Sequence, residues 1–179
     1  HERLLAENRA ALKALREAGI VEVQDIATPE QTARFVELQK SGELTARVWL
    51  RPDLSRGTEL ASQGFTMGLH PETKQPDRFL RYGALKGYID GIMGTHGALF
   101  FEPYTDQPDN YGHYRVHTSS DSAMMVEDME KMYGLIRAGL DGGFVPNVHA
   151  IGDKGVALML DLYERLKNEG VDLTGFRVI

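Results

Sequence analysis

Ile20-Val21-Glu22-Val23-Gln24-Asp25-Ile26, then Thr28-Pro29-Glu30, then Leu44-Thr45-Ala46-Arg47-Val48-Trp49-Leu50: these three stretches decide the fold class. The first and last are short, apolar and β-branched, as strands are. Between them Thr28 offers an N-cap oxygen and Pro29 suits the first helical position. Ala33, Phe35, Val36 and Leu38 give that helix its apolar positions, and Ser41-Gly42 closes it. A strand, a helix and a second strand in this order imply a parallel sheet, because two parallel strands need a crossover between them.

The pattern extends in both directions. Upstream, Leu4, Leu5, Ala11, Leu12 and Leu15 recur at helical spacing and Gly19 stands where a helix ends. Downstream, residues 51–81 break into Gly, Pro, Thr and charges and read as a long loop holding one short helix. Tyr82 to Asp90 reads as a third strand, followed by an irregular stretch to Ser120 that contains His96, His113 and His117. Met125, Met129, Met132, Ile136 and Leu140 then form one apolar stripe on a helix ending at Gly142-Gly143, which reads as a core face. Phe144 to Ile151 reads as a buried strand, backed by a helix with Val156, Met159, Leu160, Tyr163 and Leu166 on its stripe, and a last strand begins at Phe176. Five strands alternating with helices fit an open doubly wound sheet or a piece of a barrel. No Gly-x-Gly-x-x-Gly follows a strand, so the dinucleotide-binding form of the open sheet lacks its signature.

Composition narrows the function. With 42% hydrophobic and 26% charged residues the chain reads as a globular domain, and its 179 residues fall short of the roughly 250 of a complete (β/α)8 barrel. A formal charge of −6 supplies no basic surface for phosphate backbones or anionic lipid, so neither nucleic acid nor a membrane is an expected partner. A small-molecule substrate is the expected partner, and homo-oligomerisation stays open. There is no cysteine, which excludes disulfides, thiolate metal sites and thiol nucleophiles, so any metal must use nitrogen and oxygen ligands. The first residues are helix-like and not signal-like, which leads to the expectation of a cytoplasmic protein, subject to whatever precedes His1.

In parallel α/β folds the site gathers at the carboxyl ends of the strands. Lys86 lies in an otherwise apolar strand; it is either solvated at an edge or chemically engaged, because burying the cation is costly. His149 closes its strand and is either a structural histidine or a ligand or base. Asp153 reads as the N-cap of the following helix, Asp25 as a turn-and-cap residue, and His113 and His117 as exposed loop residues.

Taken together, Lys86-Gly-Tyr-Ile-Asp-Gly-Ile-Met-Gly, Phe101-Glu-Pro-Tyr-Thr-Asp and His149-Ala-Ile-Gly-Asp resemble the amidohydrolase family 3 proteins, the YtcJ-like branch of the amidohydrolase superfamily. The resemblance runs over essentially the whole chain. It implies a (β/α)8 TIM barrel of the metallo-dependent hydrolase type with strand-end ligands: a His-x-His pair on the first strand, a lysine on the fourth, histidines on the fifth and sixth and an aspartate on the eighth. Lys86 matches the fourth-strand lysine and His149 the fifth-strand histidine. A neutral lysine amine there takes up carbon dioxide to become a carbamate able to bridge two divalent ions, and two such ions about 3.5–4 Å apart share a hydroxide and polarise a carbonyl. The implied cofactor is one or two divalent ions, zinc by expectation, and the implied activity is hydrolysis of an amide or other C–N bond.

The chain departs from the family pattern in what it lacks. It contains no Asp-x-His-x-His and no candidate for the eighth-strand aspartate, so residues 1–179 are expected to be one domain covering strands 2 to 6 of the barrel. The first strand with its small β domain, strands 7 and 8 and the acid–base aspartate would then lie outside, and the piece alone would be inactive. Where the family often has Ser-Arg this chain has Thr95-His96, which makes His96 a candidate substrate contact. Two other readings stand beside the hydrolase: a Schiff-base lyase using Lys86, and an incomplete barrel with a structural role only.

Overall fold

The computed structural model describes residues 1–115, 122–174 and 176–178, with side chains described outside 122–128 and 177–178. The chain is α/β with parallel strands and falls into two compact units.

The first unit comprises residues 1–85 with 142–144. Helix α1 (Glu2–Glu17) leads to strand β1 (Glu22–Asp25), helix α2 (Pro29–Lys40) and strand β2 (Arg47–Leu50). The expected β-α-β unit is present, with Glu22 to Asp25 paired in parallel to Arg47 to Leu50. Helix α2 begins as its sequence predicts: Gln31 N–H donates to Thr28 Oγ1 at 3.3 Å, and the Gln31 side chain accepts from Thr28 N–H at 2.8 Å. Leu5 and Leu12 of α1, Phe35 and Leu38 of α2, and Val48 and Leu50 of β2 are all buried.

Residues 51–81 are more ordered than the loop expected from their composition. A 3₁₀ turn at Leu54–Arg56 runs into helix α3 (Gly57–Ser62), and strand β3 (Leu80–Tyr82) pairs in parallel with β2. Phe65, Tyr82 and Phe144 form successive edge-to-face contacts at centroid distances of 5.2 and 6.3 Å. Phe144 therefore packs in this aromatic set, not in the strand it was expected to open.

The single strand expected from Tyr82 to Asp90 is two strands in two sheets: β3 closes the order β1-β2-β3, and strand β4 (Leu85–Tyr88) opens the order β4-β5-β6. The break lies at Gly83-Ala84. Gly83 N–H donates to Leu50 carbonyl at 2.7 Å, and a Cβ at Gly83 would sit 3.3 Å from that oxygen and from the Trp49 ring. Strand periodicity continues across this point in the sequence, so only the pairing reveals the break.

The second unit holds Lys86 to Asp141 and residues 145–179. It contains most of β4, helix α4 (Ser122–Asp141), strand β5 (Pro146–His149), helix α5 (Asp153–Asn168) and strand β6 (Arg177–Val178), with β5 and β6 parallel. On α4, Met132 and Ile136 are buried as the methionine stripe predicts, while the Met125 side chain lies outside the described residues. On α5 the stripe is shifted. Met159, Leu162, Tyr163 and Leu166 are buried, and Leu160, expected inside, is 56% exposed. The helix is anchored by the 155-159-162-166 row, which leaves position 160 on the outer side.

Candidate functional site

Strand alternation puts Lys86, Tyr88 and Asp90 on one face of the β4 segment, while Leu85 and Ile89 point into the core. The Ile89 N–H donates to the His149 carbonyl at 3.0 Å, which brings the ends of β4 and β5 side by side. The Tyr88 ring is near both candidate ligands. Lys86 Nζ is 4.7 Å from its centroid and the His149 ring is 5.5 Å away at a tilt of 45°. Arg115 faces the same ring at 4.5 Å. Lys86 is 3% exposed, so of the two sequence readings the solvated edge is excluded and the buried lysine stands.

His149 is nearly buried, its side chain 16% exposed. Its Nε2 is 3.2 Å from the Gly91 carbonyl and 3.7 Å from Asp90 Oδ1. A carbonyl only accepts, so this contact places a proton on Nε2, and in the neutral ring Nδ1 then keeps the lone pair. Metal-binding histidines adopt this arrangement, one ring nitrogen donating to a carbonyl or carboxylate while the other ligates. His70, in the first unit, makes the opposite use of its ring. Its Nδ1 accepts from Glu72 and Thr73 N–H at 3.2 and 3.1 Å and its Nε2 meets Gln39 Oε1 at 2.7 Å, so both nitrogens are spent on structure.

Asp90 is completely buried and accepts from backbone N–H groups. Leu99 N–H donates to Oδ2 at 2.9 Å, Gly152 N–H to Oδ2 at 2.8 Å and Ile151 N–H to Oδ1 at 3.1 Å. The sequence places this carboxylate at the end of the third strand and assigns it no role. Its signal in the sequence was its even spacing from Lys86 along a strand, together with the glycines at 152 and 155 that make room for it. A Cβ on Gly155 would lie 2.8 Å from Asp90 Oδ2, and one on Gly152 would overlap the Leu99 carbonyl.

Asp153 is not the N-cap it was expected to be. Gly152 occupies that position, and Asp153, one residue further on, accepts from Phe101 N–H at 3.0 Å and from Lys154 N–H at 2.7 Å. Leu99 and Phe101 thus hang from two aspartates, and the Leu99 carbonyl accepts from Gly155 N–H at 3.1 Å. The remaining candidates fall elsewhere. His96 is in a left-handed backbone conformation (φ 54°), with Nε2 2.8 Å from Asp106 Oδ2 and its ring edge-on to Tyr104 at 4.7 Å. The Asp106 carboxyl is held below its ordinary range by that histidine. His113, expected to be exposed, is half-buried against Gly97, and His117 lies outside the described residues. Asp25 ends β1 half-buried, and burial raises its carboxyl above the ordinary range.

A metal ion needs three or four protein ligands in this chemistry. His149 Nδ1 and a carboxylated Lys86 suit a divalent ion as an N and O donor set, since a buried lysine beside a ring and a histidine with one nitrogen reserved are both present. No group of three His, Cys, Asp or Glu that could hold an ion occurs among the described residues. No described helix is long and apolar enough to cross a membrane.

Comparison with known proteins agrees with this geometry. The model of the amidohydrolase family matches residues 1–176, and the chain belongs to that family. Over 86 residues it is 38% identical to the protein LONG AFTER FAR-RED 3 of Arabidopsis thaliana, covering 48% of this chain and 13% of that protein. Over 87 residues it is 33% identical to the putative amidohydrolase YtcJ of Bacillus subtilis, covering 49% of this chain and 14% of that protein. Two crystal structures of uncharacterised metal-dependent hydrolases share the fold. The Pyrococcus horikoshii OT3 protein superposes with a TM-score of 0.76 at 23% identity over 99% of this chain and 32% of its own. The Pyrococcus furiosus protein gives 0.72 at 24% identity over 89% and 30%. The matched part of this chain thus spans about a third or less of each of these proteins. The fold is accordingly a partial metallo-dependent hydrolase barrel.

Proposed function

We propose that this chain is part of a metal-dependent hydrolase that cleaves an amide or other C–N bond of a small molecule, with Lys86 and His149 as two ligands of a divalent metal centre. The observation that carries the reading is the His149 ring: Nε2–H is engaged by the Gly91 carbonyl, which leaves Nδ1 for a metal, beside a lysine buried in the adjoining strand. Membership of the amidohydrolase family supports the hydrolytic assignment.

The metal, zinc by preference, supplies Lewis acidity and an activated hydroxide when bound. The chain's own residues do the rest. As a carbamate, Lys86 offers two anionic oxygens, and the Arg115 guanidinium facing the same tyrosine ring offsets the negative charge. The Tyr88 ring packs near both the Lys86 and His149 side chains. His96 is proposed as a substrate contact through the loop that Asp106 and Tyr104 hold. The barrel strands that this chain does not span would supply the remaining ligands and the acid–base aspartate.

The test is elemental analysis of the intact protein together with carbon-13 NMR after exposure to carbon-13 bicarbonate. Stoichiometric divalent metal and a carbamate resonance that disappears in Lys86→Ala are expected, and His149→Ala should bind metal at least about 100-fold more weakly than wild type, beyond the usual cost of losing an outer partner of a ligand. A metal-free protein with an unmodified Lys86 would sink the proposal. Borohydride trapping of a carbonyl substrate on Lys86 would instead point to a Schiff-base lyase.

A further inference from the structure

We infer that Asp90 is a positioning residue for His149: its buried carboxylate holds the turn that aims the ring and, together with the Gly91 carbonyl, biases the imidazole proton to Nε2. The role in metal binding rests on the reading above, whereas the effect on the imidazole does not depend on it.

Asp90 has no exposed surface, and the acceptors it offers are met by the backbone N–H groups of Leu99, Ile151 and Gly152. A buried carboxylate is stable only with such donors. Two of the three belong to residues two and three places beyond His149, so the exit of β5 is tied directly to Asp90. The tie needs glycine at two positions. Side chains at Gly152 and Gly155 would collide with the Leu99 carbonyl and with Asp90 Oδ2 respectively.

The same carboxylate stands 3.7 Å from His149 Nε2, and the next carbonyl in the chain, Gly91, accepts from that nitrogen at 3.2 Å. Negative charge and a carbonyl dipole therefore face Nε2 together, which favours the proton there and leaves Nδ1 as the lone-pair nitrogen. Asp153 provides an internal contrast. It also fastens the 99–101 segment, through Phe101 N–H, but the carboxylate 3.7 Å from His149 Nε2 is that of Asp90.

The experiment is long-range proton–nitrogen correlation NMR of the intact protein labelled with nitrogen-15 histidine, the His149 signals being identified by their loss in His149→Gln. Wild type should show the Nε2–H tautomer. Asp90→Asn should shift His149 to the Nδ1–H form or to an average of the two, and Asp153→Asn should leave it as in wild type. In parallel, cobalt(II) binding to Asp90→Asn should weaken on the order of 10–100-fold with an altered visible spectrum. An unchanged tautomer in Asp90→Asn, an equal change in Asp153→Asn, or an Nδ1–H tautomer in wild type would each overturn the inference; the last requires no variant to fold. If wild type binds no cobalt while the tautomer still depends on Asp90, the metal-centre reading fails and the positioning role stands.

Discussion

The junctions β1–α2 and β5–α5 meet the same need by different means. Each passes from a parallel strand into a helix whose first N–H groups have no partner within the helix. At β1–α2 the partner is local: Thr28 and Gln31 exchange hydrogen bonds three residues apart. At β5–α5 the N-cap is Gly152, which has no side chain to offer, and the acceptors come from Asp90, 62 residues earlier, and from the Leu99 carbonyl. A local cap only starts a helix. A distant one also fixes what lies before the helix, and at β5–α5 that is His149.

The difference can be broken experimentally from its strong side to its weak side. Gly152→Ala should be the most damaging change, at about 3 kcal/mol, because the new methyl overlaps a backbone carbonyl that is itself hydrogen-bonded and cannot yield freely; urea unfolding of the intact protein measures it, and a near-neutral result would refute the close approach. Asp90→Asn should cost about 2 kcal/mol, since an amide nitrogen replaces one of the acceptor oxygens and leaves a buried N–H unmatched. Thr28→Ala, at the local junction, should cost about 1 kcal/mol, the ordinary value of an N-cap, and should leave the His149 NMR signals unmoved.

The smallest effect concerns pH. Asp106 is exposed, and His96 holds its carboxyl below the ordinary range, so its folded value lies under the unfolded one. The sign follows: whatever stability this pair contributes is present above the unfolded value of about 3.9 and is lost as pH falls through the lower, folded value. Melting temperatures of wild type and Asp106→Asn should therefore differ slightly at about pH 5 and converge as the pH falls through the folded value, and a gap that widened on that acidification would contradict the pairing.

The sequence was most legible where structure is local. Helix α2 with its cap, the parallel pairing it implies and the buried faces of α1 and α4 follow from periodicity and from residues within one turn of each other. It was least legible at Gly83, where one apparent strand becomes two because the backbone of Leu50 approaches, and at Leu160, where an apolar residue sits outside its helix's stripe. Asp153 was misread for a related reason. An aspartate next to a helix start suits a cap by pattern, but its actual donor, Phe101 N–H, lies 52 residues away.

By itself the sequence determined the fold class, the absence of thiol chemistry and the two residues, Lys86 and His149, whose motifs match the amidohydrolase family. It left both at alternatives, because burial and hydrogen-bond partners are properties of the folded chain. Tertiary structure alone decided that Lys86 is inside, that Tyr88 is near both it and His149, and that His149 Nε2 faces the Gly91 carbonyl. It also made Asp90, to which the sequence assigned no role, the anchor of the junction, since a carboxylate's role depends on the N–H groups that surround it, and those come from segments far apart in the chain.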